Sequence, residues 1–167
     1  VIHFHESSIP FLVGIDKVHP NPRNENGNDT DAIVESIATN GFYGAVIADQ
    51  DGMLIAGHGR YAALVQLGAD QIPVLFIEAS PEQASRIRIA DNRTTRLGRD
   101  DPALILETLE ELLASDVGLV GSGYRDEDLE FLRDSLEDPL EFDEEEFAKQ
   151  RSRGSFECPK CGWTPET

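Results

Sequence analysis

Two short apolar runs flank a polar "DQDG" turn in "GAVIADQDGMLIAG", residues 44–57, and this alternation predicts a β-hairpin. Upstream, residues 14–18 read as a short strand that dissolves into the Pro- and Asn-rich loop of "HPNPRNENGND". The stretch 29–42 switches to helical spacing. Thr30 or Asp31 is its expected cap, Ile33 and Ile37 form its buried face, and Gly41 ends it. Beyond the hairpin, a glycine turn at residues 57–59 leads into a helix from Arg60 to Leu67, closed by Gly68. "QIPVLFIE", residues 71–78, is another strand. Ser80, Pro81 and Gln83 then form the N-cap, first-turn proline and capping-box position of a further helix. Asp101 and Pro102 repeat that signature ahead of Leu104, Ile105, Leu109, Leu112 and Leu113 at helical spacing. After the break "VGLVGSG", Leu129, Leu132 and Leu136 lie on one side of a last short helix. Strand, helix, hairpin, helix, strand and then helices predict an α+β fold, a small mixed sheet followed by a helical annex.

Charge divides the chain. The formal net charge is −18, but residues 1–100 hold 8 Lys and Arg against 13 Asp and Glu, and residues 101–167 hold 6 against 19. The domain boundaries expected are therefore residues 1–100, a helical annex over 101–138, and an acidic extended tail over 139–167. A uniformly basic nucleic-acid binder is excluded, though a local basic patch is not. "RIRIADNRTTRLGR" supplies one: Arg86, Arg88, Arg93, Arg96 and Arg99, opposed by Asp91. It is either a solvated helix face or a surface whose guanidinium forks bind phosphate oxygens, as DNA would offer. No run is long and apolar enough to span a membrane, and the N-terminus lacks the pattern of a secretory signal, so a cytoplasmic location is expected.

The segment "LIAGHGRYAALVQLG" holds the most pointed chemistry. An apolar strand ends at two glycines flanking His58, and a helix follows at once. Glycine admits backbone conformations closed to other residues and lets a ligand approach the main chain. A helix N-terminus offers amide donors and positive dipole, which suits phosphate. His58 can serve there as a donor or proton shuttle, or as a turn histidine bonded to backbone.

"IDKVHPNPRNEN", "IVESIATNGF", "MLIAGHGRYAALVQLGADQIPVLFIE" and "RIRIADNR" occur in the order and spacing of the ParB/sulfiredoxin-like domain. Over roughly residues 14–124 the chain resembles ParB-like "nuclease domain" proteins of bacteriophages and mobile elements, often encoded beside DNA methylases. The resemblance implies that Gly57, His58, Gly59 and Arg60 cradle the triphosphate of a nucleotide, ATP or CTP. It implies that Asp91 and Asn92 hold Mg²⁺, with Arg93 and Arg96 neutralising phosphate, and that Glu35 and Ser36 border the same cleft. Asp91, His58 and Glu35 are then the candidate catalytic groups, and Arg86, Arg88, Arg96 and Arg99 the candidate DNA contacts. ParB proteins carry a Gly-Glu-Arg-Arg turn where this chain has Gly57-His58-Gly59-Arg60. Sulfiredoxin chemistry is excluded, since no cysteine precedes Cys158. Free serine kinases of this fold carry an acid where this chain has Ala56.

"CPKC" places Cys158 and Cys161 at the spacing of half a zinc ribbon. A homodimer, a histidine or further residues would have to complete a Zn²⁺ site. The expected function is a nucleotide-dependent phosphoryl-transfer or hydrolytic domain working on or alongside DNA, with a methylase as one partner. A metal-dependent DNA nuclease and a non-catalytic nucleotide- or DNA-binding adaptor are the alternatives.

Overall fold

The computed structural model describes residues 2–24, 27, 29–98 and 100–137. Its strands are β1 (Leu12–Gly14), β2 (Val46–Ala48), β3 (Leu54–Ala56) and β4 (Gln71–Phe76), in the sheet order β1-β4-β2-β3. β1 runs antiparallel to β4, β4 parallel to β2, and β2 antiparallel to β3, so the sheet is mixed as expected. The parallel pair needs a crossover, which β3 and the helix after it provide. The helices are α1 (Thr30–Asn40), α2 (His58–Gln66), α3 (Pro81–Leu97), α4 (Pro102–Ala114) and α5 (Asp126–Glu137). Among the described residues no helix is long and apolar enough to cross a membrane.

The expected strand over residues 14–18 is displaced. β1 ends at Gly14, and Ile15–Lys17 turn as a 3₁₀ helix. The sheet order explains this. β1 pairs with β4 at one edge, whereas the next residues must reach the hairpin at the other. There His19 N–H donates to Gly52 O at 2.9 Å and His19 O accepts from Leu54 N–H at 2.9 Å. One straight strand cannot serve both edges.

Helix starts follow local chemistry. Asp29, ahead of both expected caps, Thr30 and Asp31, accepts from Ala32 N–H and opens α1. Ser80 accepts from Gln83 N–H, and Asp101 accepts from Ala103 and Leu104 N–H. Glu82, in the first turn of α3, has its carboxyl held below the ordinary value by a backbone N–H and then by the Ser80 hydroxyl.

Two apolar clusters form. The first buries Ile37, Phe42, Val46, Leu54, Leu64, Ile72 and Val74 between the sheet, α1 and α2. The second joins Leu109 of α4, Leu119 and Leu129 of α5. Between them, the loop after α4 is fastened to α1: Gly121 N–H donates to Glu35 Oε1 and Gly121 O accepts from Asn40 Nδ2, both at 3.0 Å.

Adjacent residues of α2 test this placement. Leu64 is fully buried and Val65 is 52% exposed. Leu64→Ala should lower unfolding free energy by about 2–5 kcal/mol in chemical denaturation, and Val65→Ala by no more than about 0.5 kcal/mol.

Candidate phosphate site

β3 is buried along its whole length and ends at Gly57, whose φ of 89° lies in the left-handed region. A Cβ at Gly57 would stand 2.8 Å from Val46 Cγ1. This glycine is therefore demanded by the backbone and by packing against β2, before any ligand is considered. The turn is tighter than expected: α2 begins at His58, so His58, Gly59 and Arg60 form its first turn. The first intrahelical bond runs from Tyr61 N–H to Gly57 O at 3.0 Å, and Gly57 supplies no side-chain cap. The amides of Gly59 and Arg60 thus lie ahead of the helical ladder, at the positive end of the dipole.

These residues line a cavity of about 230 Å³. Its opposite wall is one face of α3, Asp91, Asn92, Thr95 and Arg96, and Asn24, Ile33, Ile55 and Ala56 complete it. Gly57, His58, Gly59, Arg60, Asp91, Asn92 and Arg96, singled out in the sequence, therefore converge on one space. Arg60 is exposed, and its Nη1 donates to Ala45 O at 3.0 Å, which ties one end of the guanidinium to main chain. Asp91 is exposed, and its main-chain oxygen accepts from the Thr95 hydroxyl at 3.0 Å. His58 Nε2 accepts from Asn21 N–H at 3.2 Å, so a neutral imidazole carries its proton on Nδ1.

Other candidates lie elsewhere. Glu35 faces a separate cavity lined by Asp29, Asp31, Tyr124 and Arg125, with Oε1 engaged by Gly121 N–H. Ser36 lines an adjoining apolar groove with Phe42 and Tyr43, which shares Ile33 and Arg60 with the first cavity, and its Oγ accepts from Asn40 Nδ2 at 3.3 Å. α1 does border the α2–α3 cavity, but through Ile33. Arg93 is exposed and outside the lining, and Arg86 is exposed near the start of α3. Arg88 corrects the reading of the basic stretch: it is 7% exposed, and its Nη1 donates to Arg23 O. A guanidinium so buried cannot reach a DNA backbone. Arg99, Cys158 and Cys161 lie outside the described residues. Among the described residues no group of three or more His, Cys, Asp or Glu is placed to hold a metal. Asn24 and Thr95 were not singled out. Thr95 stands four residues after Asp91, a helical spacing that puts both on one face.

A small mixed sheet, with the start of α2 and one face of the long arginine-bearing α3 meeting at a common cavity, defines an α+β domain. No protein-family model matches the chain. Over 67 residues it is 36% identical to the ParB-like nuclease domain-containing protein YnaK of Escherichia coli K12, covering 40% of this chain and 77% of YnaK. Its fold is similar to that of the C-terminally truncated chromosome-partitioning protein ParB from Caulobacter crescentus, solved with CTP-gamma-S. That match has a TM-score of 0.51 and 18% identity, over 75% of this chain and 84% of that one. A Pnob8-like ParB-N domain matches at a TM-score of 0.44 and 19% identity, over 57% of this chain and 40% of that one. The chain belongs to the ParB-like nuclease domain family, within the ParB/sulfiredoxin-like superfamily.

Two glycines separate the causes acting at Gly57. Gly68 also has a positive φ, 70°, but a Cβ there meets nothing within 4 Å. Gly68→Ala should lose about 1–2 kcal/mol of stability from backbone strain alone. Gly57→Ala should lose about 2–4 kcal/mol, because the Val46 overlap adds to the strain. Equal losses in denaturant titrations would show that Val46 exerts no constraint.

Proposed function

We propose that this chain binds a nucleoside triphosphate and acts on or alongside DNA, with the phosphates seated against the first turn of α2. One observation carries the reading: the start of α2, Arg60, Arg96 and Asn92 converge on a single cavity whose lining includes one carboxylate, Asp91. Main-chain donors, a helix dipole and two guanidinium groups together favour a multiply charged anion. The complex of Caulobacter crescentus ParB with CTP-gamma-S supports the choice of a triphosphate over a single phosphate.

The donor set also suits Mg²⁺. This ion binds through one or two carboxylates and completes its shell with water and substrate phosphates. Asp91 and Asn92 would hold it, and it would supply charge neutralisation at the phosphates. The chain's own contribution is then to orient the phosphates on the Gly59 and Arg60 amides and to fix their far end with Arg96. In this reading Asp91 is the acid on which phosphoryl transfer or hydrolysis depends. A non-catalytic adaptor is the second reading, and the bond from Asn21 N–H to His58 Nε2 favours it, because that ring nitrogen already has a partner. DNA would meet the outer face of α3, where Arg86 and Arg93 are exposed.

Calorimetry with the four nucleoside triphosphates and Mg²⁺ tests the core of this reading. At least one should bind, and Arg60→Ala should weaken it by about 1.5–3 kcal/mol, as for a hydrogen bond to a charged group. No heat with any of the four at millimolar concentration would refute it. If turnover is found, Asp91→Asn should lower it far more than it lowers affinity. Binding without turnover under all conditions, or DNA cleavage that needs no nucleotide, would move the chain to the adaptor or the nuclease reading.

For DNA, the double variant Arg86→Ala, Arg93→Ala should reduce the slope of log affinity against log salt by about 0.9 for each DNA phosphate that is no longer neutralised. An unchanged slope would remove α3 from the DNA interface.

A further inference from the structure

The segment 21–24 belongs to two cavities at once. Asn24 lines the phosphate cavity. Asn21, Pro22 and Arg23 line a second cavity of about 510 Å³, and Ile55 contributes to both. Four residues of chain therefore form a partition. The two sides differ in charge: Arg60 and Arg96 face the first space with Asp91, whereas Asp49, Asp51 and Glu78 face the second with Arg23. An anion on the first side gains from staying separated from the three carboxylates on the other.

Local chain preference shapes this segment but does not by itself place it between the two cavities. The segment closes its own turn, with Asn24 N–H donating to Asn21 O at 3.0 Å and Arg23 N–H to Asn21 Oδ1 at 2.9 Å, but these bonds set its internal shape and not its place between the helices. Longer-range bonds come from the site itself. His58, the first residue of α2, accepts Asn21 N–H on Nε2, and Arg88, buried on α3, donates through Nη1 to Arg23 O. The two bonds come from the two helices that form the walls of the phosphate cavity.

We propose that His58 and Arg88 are positioning residues that pin segment 21–24 between α2 and α3, making it the wall that separates the phosphate cavity from the acidic cavity behind it. The proposal rests on the phosphate reading for its consequence and on geometry alone for the pinning. It gives His58 a task that needs no proton transfer to substrate. It also gives Arg88 a reason to be an arginine in a buried position where an apolar residue would otherwise pack, since its planar head reaches a main-chain oxygen on another segment.

The test uses the full chain and two readouts: hydrogen exchange at the Asn21 amide without ligand, and affinity for inorganic tripolyphosphate with Mg²⁺. His58→Ala should speed exchange at Asn21 about tenfold, in keeping with the loss of one hydrogen bond, and should weaken tripolyphosphate several-fold. His58→Gln should restore both, because an amide oxygen at similar reach accepts the same N–H. Arg88→Met should speed exchange across segment 21–24 while Ile72 and Val74 stay protected; should that variant fail to fold, the His58 pair still decides. Unchanged Asn21 exchange in His58→Ala, or no rescue by His58→Gln, would overturn the proposal. Weakened binding with unchanged exchange would also overturn it, since His58 would then touch the anion directly. If wild-type protein binds neither tripolyphosphate nor any of the four nucleoside triphosphates, the phosphate reading fails, while the exchange data still judge the pinning.

Discussion

Gly57 sits where two demands meet. β3 must run fully buried alongside β2, and the chain must then turn at once to start α2 beside the sheet. Only a left-handed residue makes that turn, and only one without a Cβ clears Val46. Everything about the site follows from this geometry. Because the turn is a single residue, α2 begins at His58 and its uncapped first turn opens beside the end of the strand. Because α3 packs on β3, the Asp91-to-Arg96 face closes the same space from the other side. The cavity is a product of packing, and its polarity follows from which residues happen to begin one helix and face out of the other.

Arginine plays three separate roles around this cavity. Arg60 is tethered by Ala45 O, so its orientation is set without any ligand. Arg96 faces the same space from α3. Arg88, earlier on the same helix, is buried and donates to main chain. Burying a guanidinium is costly unless its hydrogen bonds are made, and a carbonyl on a loop without regular structure is a partner that such a donor can order. The basic stretch is thus divided between cavity, loop and solvent. Charge counting along the chain cannot see that division.

Much of the arrangement was legible in the residues. The hairpin around residues 49–52, the capped helices at Ser80 and Asp101, and the strand of residues 71–76 declare themselves because caps, turns and alternation are local chemistry. The convergence of Gly57, His58, Gly59 and Arg60 with Asp91, Asn92 and Arg96 came from order and spacing shared with a known family. What stayed hidden depends on the third dimension. The break at Gly14 follows from which sheet edge each residue must reach. Glu35 sits only two residues after Ile33, yet a helix turns about 200° over two positions, so the carboxylate faces the α4–α5 loop instead of the cavity. Arg88 reads as one more surface cation until its burial is known. Asn24 enters the site from a loop without regular structure, and no local pattern announces that.

Whether the first turn of α2 receives phosphate decides the rest. Amide chemical-shift mapping of the labelled protein, titrated with a Mg²⁺–nucleoside triphosphate, reads this residue by residue. The largest shifts should fall on the Gly59 and Arg60 amides, with Asn92 and Arg96 next and the α4–α5 cluster around Leu109 and Leu129 unmoved. Saturable shifts that leave Gly59 and Arg60 in place, centred on any other surface, would contradict a phosphate site at the start of α2.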